Sequence, residues 1–459
     1  MVNDGNETGA SDYNGSTVST GANSGKKSSV GRRNFLKAAG AGAFVTTAAG
    51  CLGGGGGGGG SDPLSERDEV TVGVLAPVPS ENPIGASIAN GVRLSAQQIN
   101  EDGGLGENGA EVNVVVKDTQ ESPQTGANRY GELIRDENVD MTTGVFTSEV
   151  LLRLMDSIAE SQVPHITAGA ATPEASAQVN SSYSDYKYHF RAGPINAHNL
   201  GENLVDFIEA KSDDLGWESV YVLVEDYKWT EPVSTVLDES LSDAGVEVAG
   251  RTRYASGTED FGPIYGDVED SGADAALISM AHTGTAAVLQ WARSGKPFEF
   301  GGIHVPMQLP SYFAAVEGAC NLGTTQNSAT PNAEVTTSDE VDRGLATIPF
   351  SNAFREEYDS YPVYTGYISY DAMNQYATVV EENDDVGADA VVSGLESSSY
   401  TGTVGTIEYY GKDNEFAHDV KYDPELVYPL YAQWQSEGGE GVQQVIWPDD
   451  VATGEYQNL

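Results

Sequence analysis

Residues 70–106 read VTVGVLAPVPSENPIGASIANGVRLSAQQINEDGGLG. The first seven alternate and are rich in β-branched side chains, which predicts a strand. Pro83-Ile84-Gly85 then opens a stretch in which Ile88, Val92 and Ile99 share one helical face, and Gly103-Gly104 stops it. A strand running straight into an amphipathic helix is half of a parallel crossover unit. If the unit repeats, the chain is an α/β protein.

It does repeat. EVNVVVK (111–117) predicts a second strand closed by Asp118, followed by a helix at about 123–137 and a third strand, MTTGVF (141–146). A helix at about 149–161, the strand PHITAG (164–169) and a loop through Thr172-Pro173 complete this half. After Phe190-Arg191 the rhythm restarts with a helix at about 197–211 and the strand SVYVLVED (219–226). Helices at about 231–244, 260–271 and 284–294 alternate with VEVAGRTRY (246–254), DAALISM (274–280) and FEFGGIHV (298–305). Short apolar strands alternating with helices imply parallel sheets covered on both faces. Two such halves, joined near 191–196, predict two doubly wound lobes about a hinge. Residues 321–345 are small and polar, and read as a long loop or insertion ahead of helices at about 351–360 and 367–382.

Ahead of this body lies GRRNFLKAAGAGAFVTTAAGCLGGGGGGGGSD (31–62). The apolar or small run after Lys37 ends at Gly50, well short of the roughly 20 residues a spanning helix needs. A basic entry, a short apolar core and small residues before a cleavage point describe an export signal. Arg32-Arg33-Asn34-Phe35-Leu36-Lys37 resembles the twin-arginine signature of proteins exported already folded, and Ala48-Ala49-Gly50-Cys51 resembles a lipobox whose cysteine takes a lipid. Gly53 to Gly60 act as a flexible leash. The expected product sits lipid-anchored through Cys51 on the extracellular face of the cell membrane.

The formal net charge is −46, from 69 acidic and 23 basic side chains. Such a surface repels nucleic acid, and its spread along the chain suits a high-salt habitat in which screening quiets self-repulsion. With Cys51 assigned to lipid, Cys320 stands alone, which excludes an internal disulfide and a C-x-x-C site. No H-x-x-x-H spacing, Walker A lysine or G-x-S-x-G elbow is present, so neither metal, cofactor nor catalytic signature is expected.

As a set, the following residues resemble the branched-chain amino acid binding-protein family, the type I periplasmic binding proteins that serve ABC importers. They are Ile84-Gly85 with Gly91, Ile99-Asn100, Gly103 to Gly106, Asp118, Gly144-Val145-Phe146-Thr147-Ser148, Pro164-His165-Ile166, Ala170-Ala171-Thr172-Pro173, Phe190-Arg191, Tyr370-Asp371-Ala372 and Gly402-Thr403-Val404-Gly405. The resemblance spans about 70–440. The leader's own pattern gives residues 1–50 as signal and 51–67 as tether. The first lobe would comprise 68–193 plus 321–425, and the second 194–320 plus 426–459.

Ligands of open α/β sheets sit beyond the carboxyl ends of the strands. Ser148 and the loop Ala170–Thr172 both follow strands and so share that edge. The resemblance makes Ser148 the carboxylate-binding serine. It gives the neighbouring threonine's role to Thr172 if one residue is deleted, or to Ala171 if not. Trp229, with Tyr227 as the alternative, falls where an aromatic covers the ligand, and His282 falls near another aromatic. His304 falls where amino-acid binders carry a glutamate for the α-ammonium, and Ile84 where they often carry an aromatic. A histidine offers an ammonium no full negative charge. The ligand class thereby widens from branched-chain and other amino acids to short amides and carboxylates. The expected partners are this ligand and the permease and ATPase of an ABC importer. Two other readings are a ligand-sensing ectodomain acting with a signalling partner, and a hydrolase using Ser148 as nucleophile, for which no base is nominated.

Overall fold

The opening strand–helix unit folds as its sequence reads. In the computed structural model, which describes residues 61–335 and 346–459, β1 (Glu69–Ala76) is buried along all but its first residue. The helix Pro83–Glu101 follows, capped by Asn82, whose side chain accepts from the Ile84 amide. Ile88, Val92 and Ile99 are buried on it. Gly85 is needed at its start, because a Cβ there would lie 1.7 Å from the Pro77 carbonyl oxygen. The signal, Cys51 and the glycine leash fall outside the described residues.

β2 (Glu111–Asp118), β3 (Met141–Gly144), β4 (His165–Thr167) and β5 (His189–Arg191) join β1 in a parallel sheet ordered β2-β1-β3-β4-β5. The order reverses direction between β1 and β3, and the carboxyl ends of those strands therefore open a crevice. Sequence carries the third strand on to Phe146, but it ends at Gly144. Gly144 and Val145 take positive φ values of 107° and 65°, which turn the following residues across the sheet's edge. Residues 418–420 lengthen the sheet beside β5, where the Arg191 amide donates to the His418 carbonyl (2.9 Å) and the Val420 amide to the Arg191 carbonyl (3.0 Å). The helix Tyr364–Asn383, buried along most of its length, packs against Pro83–Glu101.

The second lobe repeats the plan. β6 (Ser219–Glu225), β7 (Glu247–Tyr254), β8 (Ala275–Met280) and β9 (Glu299–His304) form a parallel sheet ordered β7-β6-β8-β9, with the reversal between β6 and β8. The segment expected as a loop from 321 contains β10 (Thr324–Asn327), which packs beside β9. Further on, β11 (Tyr400–Thr401) and β12 (Thr406–Ile407) pair with each other. β13 (Leu430–Glu437) and β14 (Glu440–Trp447) form an antiparallel hairpin that includes β10 at its edge. The 320/321 boundary drawn from sequence falls just ahead of β10. Among the described residues no helix is long and apolar enough to cross a membrane.

Candidate functional site between the lobes

On the first lobe, the turn after β3 delivers Phe146 and then Ser148, the first residue of the helix Ser148–Ser161. Ser148 Oγ accepts from the Thr172 amide at 3.2 Å, which ties this loop to the one after β4. Thr172 Oγ1 accepts from the Glu174 amide at 3.3 Å. The carbonyls of Ala170 and Thr172 both accept from the Arg191 guanidinium, whose Nε donates to Asp419 Oδ1 at 2.8 Å. Arg191 and Asp419 are fully buried, so this ion pair braces the loop from beneath. Tyr364 closes it from the side by donating to the Gly169 carbonyl at 3.0 Å.

On the second lobe, the carboxyl end of β6 carries Glu225, which sequence reasoning passed over. Its side chain is fully buried. It accepts from the amides of Ala281 (2.8 Å), His282 (3.1 Å) and Thr283 (3.3 Å), from the Thr283 hydroxyl (3.1 Å) and from His282 Nδ1 (2.9 Å). Burial pushes this carboxyl up, but the His282 side chain and the 281–282 backbone donors prevail and its pKa lies below the ordinary value. Tyr227 stacks on the His282 ring at 3.8 Å with 11° between planes. From the other lobe, Phe146 reaches the same ring at 4.9 Å. Glu149 Oε1 accepts from the Lys228 amide at 2.9 Å, a second contact between the lobes.

Between these faces lies a small cavity of about 40 Å³. Its apolar wall includes Phe146, Ala171, Leu200, Trp229, Ile303 and Val305, and its polar groups come from His282, Gln308, Gln326, Asn327, Ser328 and Tyr364. A larger cavity of about 480 Å³ adjoins it, shares Ala281, His282 and Val305, and is rimmed by Glu81, Asn82, Ile84 and Glu121. Gln308 and Gln326 are held in place, since Gln308 Nε2 donates to the Gln326 carbonyl (3.0 Å) and Gln326 Nε2 to Asn203 Oδ1 (2.6 Å).

Of the residues nominated from sequence, Ala171, Trp229 and His282 line the inner cavity. Ser148, Ala170 and Thr172 lie in the loops behind its first-lobe wall, and Tyr227 supports His282. His304 is elsewhere. Its ring is fully buried beneath Gly284, where an added Cβ would come within 2.3 Å of Nε2. Nδ1 accepts from the Met307 amide at 3.2 Å, and burial lowers the ring's pKa to about 4. The cavity residues missed from sequence are mainly Gln308, Gln326, Asn327 and Tyr364, which lie in or beyond segments read as loop. Cys320 is buried and its thiol pushed up to about 12 by that burial. Among the described residues no cluster of three or more His, Cys, Asp or Glu could hold a metal ion.

A family model described as periplasmic binding protein matches residues 69–422. Leu/Ile/Val-binding protein homolog 8 of Brucella melitensis biotype 1 is 23% identical over 407 residues, covering 84% of this chain and 92% of that protein. An ABC-transporter solute-binding protein of R. palustris, solved with 4-hydroxybenzoate, superposes with a TM-score of 0.67 at 16% identity, over 85% of this chain and 98% of its own. The branched-chain amino acid binding protein LivJ of Streptococcus pneumoniae, solved with isoleucine, gives 0.65 at 15% identity, over 83% and 100%.

Proposed function

The chain belongs to the periplasmic binding protein family, and from that premise we propose that it captures a small ligand between its lobes and hands it to an ABC importer. The observation that carries this reading is the cavity at the carboxyl ends of both sheets, where Phe146 of one lobe meets His282 of the other. Both sheet reversals fall there, which is where open α/β sheets hold ligands. A ligand that touches both faces favours the closed arrangement by its differential affinity. The family is one of solute-binding proteins and not of enzymes, and the hydrolase reading loses ground because Ser148 Oγ is engaged by an amide N–H and not by a base.

Apolar walls with a few amide and imidazole groups suit a compact, partly apolar ligand. The relatives solved with isoleucine and with 4-hydroxybenzoate share a carboxylate and an apolar body, and branched-chain amino acids, short amides and aromatic carboxylates are the candidates. Isothermal titration of the purified exported protein in high salt against all three classes tests the reading. Micromolar or tighter binding of one class is expected, and no binding by any member overturns it. We further assign export to the Arg32-Arg33 signal and anchoring to Cys51. Cys51→Ser should release the protein from the membrane fraction, and its retention there would remove the anchor.

A further inference from the structure

We infer that the ligand has two unlike ends. A carboxylate or carbonyl enters the inner cavity, and a primary ammonium or guanidinium on the same molecule lies in the outer one, among Glu81, Glu121 and His282. This names a ligand class for the solute-binding reading and rests on it. The two cavities are continuous, since Ala281, His282 and Val305 line both. The inner one, about 40 Å³, holds only a few heavy atoms. The remainder of the ligand therefore reaches the outer one, of about 480 Å³.

The first lobe presents two carboxylates to that outer space. Glu81 stands in the turn after β1 and Glu121 in the loop after β2, the neighbouring strand of the same sheet. Asp118 ties the two loops together by accepting from the amides of Val78 (2.7 Å) and Gln120 (2.8 Å), and Asn82 Nδ2 donates to Glu121 at 3.3 Å. No lysine or arginine lines either cavity, and among the described residues neither Glu81 nor Glu121 is in an ion pair. Lys228, beside Glu149, pairs instead with Glu174 and Glu231. A cleft lined by one sign of charge concentrates the opposite ion. Acids are plentiful in this chain, 69 in all, and what sets these two apart is the group that faces them.

That group is His282, whose side chain is 9% exposed. Tyr227 and Phe146 pack on its ring. Nδ1 lies 2.9 Å from Glu225 and carries the hydrogen between them, because a carboxylate only accepts. In that tautomer Nε2 is an acceptor, and it is buried without a partner. The outer cavity thus offers two carboxylates and an imidazole nitrogen, all acceptors, which a primary ammonium or guanidinium answers with several N–H donors and a positive charge. At the inner end the polarity is reversed. Trp229 lines that cavity at 8% exposure, and its Nε1–H, which can only donate, is buried without a partner. The unpaired groups call for an acceptor at one end of the ligand and a cationic donor at the other.

Calorimetric titration of the exported protein tests this with matched pairs that differ only at the far end. The pairs are L-lysine with L-norleucine, L-arginine with L-citrulline, and 6-aminohexanoate with hexanoate; L-leucine, 4-hydroxybenzoate and acetamide are run beside them. In one pair or more the cationic member should bind at least about tenfold more tightly than its neutral partner, and more tightly than the last three compounds. Glu81→Gln combined with Glu121→Gln should cut that preference by about tenfold. Glu81 is exposed and Glu121 half-buried, so the double variant is expected to fold, which a melting curve verifies. Trp229→Phe, which keeps an aromatic ring, should weaken both members of the pair by like factors, because it meets the end they share. Tightest binding by a neutral compound, a preference that survives the double variant, or a Trp229→Phe loss confined to the cationic member overturns the inference and leaves the solute-binding reading standing. Binding of no probe overturns both.

Discussion

Arg191 has no access to water, yet its guanidinium serves the binding loops by holding two carbonyls and one carboxylate at once. Arg191→Leu would leave Asp419 buried and uncompensated. A loss of about 3–5 kcal/mol is expected, read as a shift of the denaturant midpoint, and a shift under 1 kcal/mol would deny the bracing role. Glu225→Gln should cost about 2 kcal/mol, because an amide cannot accept on both oxygen positions and must bury a donor. Ser148 and Trp229 could be placed near the site from sequence because strand ends define an edge. Glu225 was missed although it lies within the strand read from sequence, because an acid near the end of an apolar run gives no sign of whether it turns inward or to solvent. The misplacement of His304 has a related cause: β9 is buried on both faces, so no alternation of apolar and polar residues reveals which way its last side chain points.

At the scale of elements, the helices Pro83–Glu101 and Tyr364–Asn383 approach through glycine. A Cβ on Gly91 would sit 2.4 Å from the Gly366 carbonyl oxygen, a backbone atom with little freedom to move. Gly91→Ala is therefore expected to force the helices apart and destabilise the first lobe by about 1–3 kcal/mol, despite the better helix propensity of alanine. An unchanged or raised melting temperature would show that the pair can slide. Apart from β5, which is His189-Phe190-Arg191, the parallel strands were legible because most are short apolar runs with a helix after them. β10 and the β13–β14 hairpin were not: Thr324-Thr325-Gln326-Asn327 carries no apolar residue, and its strand state comes from pairing with β13. Strand formation of that kind is decided by tertiary neighbours and not by the segment's own composition.

For the whole molecule, acid should be the more damaging extreme. Burial lowers His165 to about 3 and His304 to about 4 from the usual 6.5, and lowers His189 as well. The unfolded chain thus binds more protons than the folded one below about pH 6.5, and stability falls as pH drops from there towards 3, by about 1.4 kcal/mol per unit for each group. Asp371, raised to about 7 by burial against its Thr403 and Val404 donors, works the other way, its contribution fading as pH climbs through 7. Three lowered histidines and the lowered carboxyls of Glu225, Asp385, Glu396 and Glu408 stand against the raised carboxyls of Asp371, Asp140 and Glu299. Melts between pH 7 and 4 should therefore show a falling midpoint, and a flat profile would contradict neutral buried imidazoles. Added salt should raise the midpoint by screening a net charge of −46. The segment 418–420 that borders β5 has a temporal consequence. A growing polypeptide makes β5 long before it makes that border, and until then the Arg191 guanidinium has no Asp419 to meet. The sheet begun first in synthesis is therefore not completed until much later, and its maturation must wait until residues 418–420 have been made.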